Sequence, residues 1–266
     1  MTDPRSDPDP SLVTLNDAAQ VAVPLADLTR GAGGPRDRQL IYGDPLTVLN
    51  KSDWHCLVRS EKDGYCGTLL AAQIGPASPP SHRVTARATH AYSNANFKSA
   101  ENLMLSFGTT VTALSEKPTF IETTLGFIPR QHLHSADTVA TDPAAIAALF
   151  LGTPYLWGGN SSFGIDCSGL VQMACLACNI ACPGDSDQQA DGLGTLLPGD
   201  ATLQKNDLIF WKGHVALVTD ANTLIHANAG HMMVTYEPIA DAIARIEMQG
   251  DGTPTHRKRL PQANSL

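Results

Sequence analysis

Three residues of this 266-residue chain have the types and settings for thiol chemistry: Cys167, His214 and His226. Cys167 stands where a glycine-bearing loop, with Gly158-Gly159 and Gly164, gives way to an apolar run of helical length from Ser168 to Cys178. The free N–H groups and positive end of a helix favour a thiolate, and such sites bring a cysteine pKa down to about 3.5–7.5. Asp166 is placed to cap that helix, and Ser168 and Gly169 permit close packing. His214 heads an apolar strand, Val215-Ala216-Leu217-Val218, and His226 ends the next one, twelve residues later. Antiparallel strands joined by a turn near Asp220-Ala221-Asn222 bring the two rings side by side. One then serves as base to the thiol while the other fixes its tautomer from behind.

The remaining cysteines do not suggest a metal. Cys175, Cys178 and Cys182 follow the spacing C-x2-C-x3-C, but zinc needs a fourth ligand and no second cysteine pair follows. Two of them lie on the buried helix, so packing is the reading, and no metal or cofactor is expected. His231, five residues beyond His226, is set aside as pointing elsewhere.

The elements that must position these residues begin near residue 136. Asp142-Pro143 before Ala144-Ala145-Ile146-Ala147-Ala148-Leu149-Phe150 predicts an N-cap, a proline at the first helical position and a helix. The run after Cys167 is apolar on nearly all faces, which predicts a buried helix. Leu208–Trp211, Val215–Thr219 and Leu224–His226 read as consecutive antiparallel strands, so this part is α+β.

The upstream half has another texture. Short β-like runs at Leu46–Leu49, Trp54–Val58 and Thr68–Leu70, with Gly and Pro between them, predict a small all-β barrel. Leu40, Tyr42, Gly43, Leu46, Thr47 and Leu49 recur 65 positions later as Leu105, Phe107, Gly108, Val111, Thr112 and Leu114. Gly67-Thr68-Leu69-Leu70 recurs 59 positions later as Gly126-Phe127-Ile128-Pro129. Two related barrels in tandem follow, joined by Gly75-Pro76-Ala77-Ser78-Pro79-Pro80. The expected organisation is a flexible segment 1–20, barrels at 21–77 and 81–135, the α+β domain at 136–256 and a solvated tail at 257–266.

Composition narrows the partners. Eighteen basic against 26 acidic residues give a net charge of −8, which argues against a phosphate-neutralising nucleic-acid surface. No apolar stretch approaches the roughly 18 residues of a membrane-spanning helix. The opening Met1-Thr2-Asp3-Pro4-Arg5-Ser6-Asp7-Pro8 has neither the basic start nor the apolar run of a secretory signal. The expectation is a cytoplasmic protein with reduced thiols. A secreted reading returns if the natural start lies upstream.

Several motifs in order resemble the NlpC family of papain-like cysteine peptidases: Tyr155-Leu156-Trp157-Gly158-Gly159, Gly164-Ile165-Asp166-Cys167-Ser168-Gly169-Leu170, Asn206-Asp207-Leu208-Ile209-Phe210 and Gly213-His214-Val215-Ala216. The resemblance covers roughly residues 140–245, and the upstream pair looks like tandem bacterial SH3-like domains. It implies two SH3-like barrels before an α+β papain-like domain, with Cys167 as nucleophile, His214 as general base and His226 as the orienting third member. It further implies hydrolysis of the bond between the γ-carboxyl of D-glutamate and a diamino acid. The sequence is most similar to the members that recycle free murein peptides beginning with L-Ala. Asp185 and Ser186 match the segment whose Asp-Ser pair contacts the substrate ammonium. Tyr155 and Trp157 are implied to line the site, Asp166 and Ser168 to flank the nucleophile and touch substrate. In the first barrel, Asp44 and Tyr65 stand where such enzymes place amine-binding residues. The same thiol and histidine chemistry also serves an acyltransferase.

Overall fold

Short alternating runs form strands in the N-terminal half, because one face of each is apolar and Gly or Pro ends it. A computed structural model describes residues 3–261, and the chain divides into two units that meet at Thr138 and Val139. In the first unit a seven-stranded antiparallel sheet runs in the order Arg36–Ile41, Leu25–Thr29, Cys66–Leu70, His55–Ser60, Pro45–Lys51, Asp17–Val21 and Ile74–Pro76. Its inward residues Val21, Ala26, Leu28, Leu40, Leu46, Val58 and Leu69 form one core. Trp54, expected to open a strand, precedes it and is 77% exposed.

A second β-domain follows, with five-stranded and three-stranded sheets and its own core of Val84, Ala91, Leu105, Val111, Ile121, Ile128 and Leu133. The sequence repeat reappears here as geometry. Leu40 and Leu105, Leu46 and Val111, and Leu69 and Ile128 are buried equivalents. Gly43 and Gly108 both adopt positive φ, +82° and +87°. The strands Cys66–Leu70 and Gly126–Pro129 are each followed by a 3-10 turn, Ala71–Gln73 or Arg130–His132, and a three-residue strand.

Two expectations at the chain ends need correction. The segment 1–20 is tied down from its described start: Cys66 donates its N–H to Arg5 O (2.6 Å), and Thr14 and Leu15 donate to Leu49 O. Leu15 packs on the first core, and residues from Asp17 onward are already strand. At the other end, Arg257-Lys258-Arg259 form part of a strand rather than a tail. Arg259 grips the buried Asp207 with two bonds of 2.9 Å, and Lys258 is only 6% exposed. Residues 1–2 and 262–266 lie outside the described residues.

The second unit carries helices α1 (Pro143–Ala148), α2 (Cys167–Ala177), α3 (Ser186–Gly192) and α4 (Ile239–Met248). The strands of its main sheet are β1 (Thr195–Leu196), β2 (Asp207–Trp211), β3 (His214–Val218), β4 (Thr223–Asn228), β5 (Met233–Pro238) and β6 (His256–Arg259). They form one sheet in the order β1-β6-β2-β3-β4-β5, antiparallel throughout. The expected cap is present: Asp142 Oδ1 accepts from Ala144 N at 3.1 Å. Helix α2 is buried along most of its length and packs against β3 and β4. Ala242 and Ile246 of α4 pack with Ile209, Trp211, Ala216, Val218 and Leu224. Strand alternation puts those sheet residues on the same face as His214 and His226.

Candidate active site

Asp166 builds the start of α2. Its Oδ1 accepts from Gly169 N (2.7 Å) and from Ser168 Oγ (3.1 Å), and its Oδ2 accepts from Gly158 N (2.9 Å). One carboxylate thus fixes both the helix end and the Gly158-Gly159 loop beside it. Gly169 is needed because a Cβ there would come within 2.5 Å of Gly159 O. The resemblance assigned Asp166 and Ser168 to substrate contact; the hydrogen bonds described here are spent on shaping the nucleophile's loop.

Cys167 is the first residue of that helix and is 6% exposed. Its Sγ lies 4.0 Å from Gly213 O, against the start of β3. The expected lowering of its pKa does not occur. Burial pushes the thiol up to about 12 and the Asp166 charge adds to this, against the N–H groups of Val215, Ser168 and Cys167 itself. The N–H groups at the helix end still favour the anion, but here desolvation is the larger effect.

The histidines come together as the strand order requires. Extending the β3–β4 register, in which Leu217 pairs Ile225, sets His226 opposite Ala216 and diagonal to His214. His214 Nε2 and His226 Nδ1 are 2.9 Å apart. The diagonal continues into β5, where His226 pairs Thr235 and Glu237 stands two residues on. His226 Nε2 meets Glu237 Oε2 at 3.0 Å. Arg245 of α4 closes the line, its Nε on Glu237 Oε1 (2.9 Å) and its Nη2 on Oε2 (2.7 Å). Trp211 stacks obliquely beside His214, ring centroids 5.6 Å apart.

Electrostatics follow from this burial. His214 is pushed down to about 3 by burial, with His226 and Arg245 adding and Glu237 opposing. His226 is lowered by burial against the pull of Glu237. Burial works to raise Glu237, but its bonds to Arg245 and His226 win and hold it at about 2. Both imidazoles are therefore neutral in the fold at pH values where an exposed histidine, near 6.5, is charged. The unfolded chain takes up protons that the fold refuses, so stability is full above pH 6.5 and falls as pH drops below it. Each histidine contributes up to about 1.4 kcal/mol per pH unit in that range. A Tm series from pH 7.5 to 5 is expected to fall, and His226→Gln to flatten the slope. A slope unchanged by that substitution would sink the assignment.

The other candidates are placed as follows. Tyr155 is half-buried, and burial raises its phenol, followed by the charges of Cys167 and Asp166, so it stands beside the nucleophile. Trp157 is 70% exposed. Asp185 and Ser186 open α3, and buried Gln189 binds that segment to α2 by donating to Ser168 O (3.0 Å) and Pro183 O (2.9 Å). In the first unit, Asp44 accepts from Lys62 Nζ (2.7 Å) and Ile41 N (3.0 Å). Tyr65, expected to bind substrate, is 4% exposed in the barrel core, with the Arg38 guanidinium 5.5 Å from its ring centroid.

Sequence reasoning missed Glu237, Arg245 and Trp211. A glutamate in a mostly apolar strand, eight residues before an arginine on an amphipathic helix, was the available signal. Among the described residues, His226, His231 and Glu237 bring possible metal-ligand atoms within 4.8 Å of one another. Arg245 already engages both oxygens of that glutamate and supplies a positive charge there.

Comparison with known proteins agrees with this chemistry. Residues 152–249 match the NlpC/P60 family and residues 28–74 the bacterial dipeptidyl-peptidase Sh3 domain. Dipeptidyl-peptidase 6 of Lysinibacillus sphaericus is 39% identical over 84 residues, 32% of this chain and 31% of that protein. The gamma-D-glutamyl-L-lysine dipeptidyl-peptidase of Bacillus cereus is 27% identical over 237 residues, 76% of this chain and 70% of its own. Its Bacillus subtilis counterpart is 28% identical over 216 residues, 71% of each. The chain thus spans less than a third of the first relative and about 70% of the other two. An NlpC/P60 family protein from Bacillus cereus, solved by crystallography, has the same fold: TM-score 0.75 at 23% identity, over 92% of this chain and all of that one. An SH3-like domain therefore precedes an NlpC/P60 domain, and the chain is a cysteine peptidase.

Proposed function

We propose that the NlpC/P60 domain of this chain hydrolyses the γ-D-glutamyl–diamino acid bond of free murein peptides that begin with L-Ala. The observation that carries the reading is the pair His214 and His226, whose rings meet at 2.9 Å, on strands whose start at Gly213 O lies 4.0 Å from Cys167 Sγ. With thiol and imidazole neutral at rest, proton transfer accompanies attack. His214 takes the Sγ proton as sulfur adds to the carbonyl, and the Cys167 N–H faces the developing oxyanion. His214 then protonates the leaving amine, and water, activated by the same ring, releases the acyl group from the thioester.

The names of the Bacillus relatives, which denote release of a dipeptide from a γ-D-glutamyl-L-lysine bond, support this substrate class. Counting from a free amine requires a group that recognises it, and Asp185 with Ser186 is assigned that role. A carboxylate on an ammonium forms a charge-assisted bond that an acylated amine forfeits. Tyr155 and Trp157, in the same unit, complete the proposed binding set. The second β-domain is taken as a second SH3-like module, supported by the buried equivalents and the paired positive-φ glycines. On this reading the peptides are already detached from the wall and the chemistry is cytoplasmic recycling.

The test is mass spectrometry of L-Ala-γ-D-Glu-diaminopimelate and its L-lysine analogue, each beside an N-acetylated twin. Release of L-Ala-D-Glu from the free-amine peptides, at least about a hundredfold faster than from the twins, is the expected result. Equal cleavage of both would remove the amine-recognition roles. No cleavage of either would remove the substrate class.

A further inference from the structure

We propose that Glu237, clamped by Arg245, is a positioning residue that fixes where the protons sit on both histidines. The proposal rests on Cys167 and His214 as the reacting pair. A neutral imidazole carries one proton on either ring nitrogen, and only the form with bare Nδ1 on His214 can accept the thiol proton. His214 spends Nε2 on His226, so Nδ1 is the nitrogen left for Cys167.

The choice of tautomer starts at the far end of the line. Glu237 is ionised and only accepts, with its two oxygens held by Arg245 Nε and Nη2. His226 must therefore place its proton on Nε2, which lies 3.0 Å from Glu237 Oε2. Its Nδ1 is then bare and accepts from His214 Nε2–H. That leaves His214 Nδ1 bare as well. A single carboxylate so polarises two rings in one direction, and burial keeps His226 neutral so that it does not donate from both sides.

The clamp is itself built. Arg245 Nη1 is held by Gln249 Oε1 at 2.9 Å, one turn on at the C-cap of α4. A Cβ at Gly230 would come within 2.8 Å of that same Nη1, so the turn between β4 and β5 is kept open for the guanidinium. Among the described residues, the charged or titratable groups that bear on the two rings are His214, His226, His231, Glu237 and Arg245.

Histidine-selective 15N labelling with long-range 1H–15N spectra reads the tautomers directly, on the whole chain and without substrate. The wild type is expected to carry Nε2–H on both rings. In Glu237→Gln the amide can donate as well as accept, and a fraction of both rings shifts to Nδ1–H. The kcat is expected to fall about tenfold to a hundredfold with KM unchanged. Glu237→Asp, which keeps an ionised acceptor, is expected to restore the Nε2–H pattern and part of kcat. A wild-type His226 protonated on Nδ1 would overturn the proposal whether or not any variant folds. Wild-type tautomers or an unchanged kcat in folded Glu237→Gln would overturn it too. If no peptide is cleaved by the wild type, the substrate reading fails, while the ring spectra still decide this one.

Discussion

Cys167→Ser is expected to lower kcat by about 10^4-fold or more while leaving the fold intact. The two side chains are nearly isosteric, and the Sγ contact to Gly213 O, at 4.0 Å, contributes little to stability. The chemistry differs far more than the shape. His214, held near 3, is a weak base, so proton transfer must accompany bond formation to the carbonyl, which calls for a strong nucleophile. A thiol meets that demand even when burial raises it to about 12, because sulfur is large and polarisable. A serine hydroxyl is a weaker acid and a harder nucleophile at the same place. Turnover of the free-amine peptide by mass spectrometry, with Tm measured in parallel, checks this. A serine variant retaining more than about one part in a hundred of wild-type kcat would show that the thiol is not the nucleophile.

Asp166→Ala carries the second large effect, and it should act on stability and rate together. The carboxylate serves Gly169 N, Ser168 Oγ and Gly158 N at once. Loss of a helix cap costs about 1 kcal/mol, and stranding further poorly solvated donors brings the total to about 3 kcal/mol. For a unit of this size that lowers Tm by about 10 °C. The rate falls by at least about tenfold, because the Gly158-Gly159 loop and the first turn of α2 no longer hold Cys167 in one place. Asp166→Asn should lose about half as much stability, since one oxygen remains to cap Gly169 N. Calorimetry and single-turnover rates on both variants separate the two effects. An alanine variant with wild-type Tm would refute the capping argument.

The part of the site that could be read from the sequence was the part encoded by neighbours along the chain. A cysteine at a loop-to-helix boundary and two histidines on consecutive strands follow from spacing alone, and His214 and His226 do meet. Asp166 was visible as a cap, but its third bond, to Gly158, depends on how a loop folds back. Glu237 and Arg245 were out of reach for a stronger reason. Their contact needs the register of a third strand and the placement of a helix after it, which no local pattern specifies. The thiol was misjudged because helix ends are read from sequence, whereas burial is a property of the assembled fold. Composition alone makes the basic run at 257–259 look like a tail, because the partner of Arg259, Asp207, lies some fifty residues earlier in the chain.

The diagonal of His214, His226 and Glu237 across β3, β4 and β5 has a consequence for how such a chain can change over generations. Each step relies on the pairing of adjacent antiparallel strands, and a shift of one residue within a strand turns its side chain to the opposite face. A deletion or insertion of a single residue inside β4 therefore disconnects the line at both ends. The turns at 219–222 and 229–232 bear no such constraint on length, apart from the glycine that admits Arg245. Length variation in descendants of this sequence should accumulate in those turns and be purged from the strands, so the reading frame of the sheet, rather than any loop, is what inheritance must preserve here.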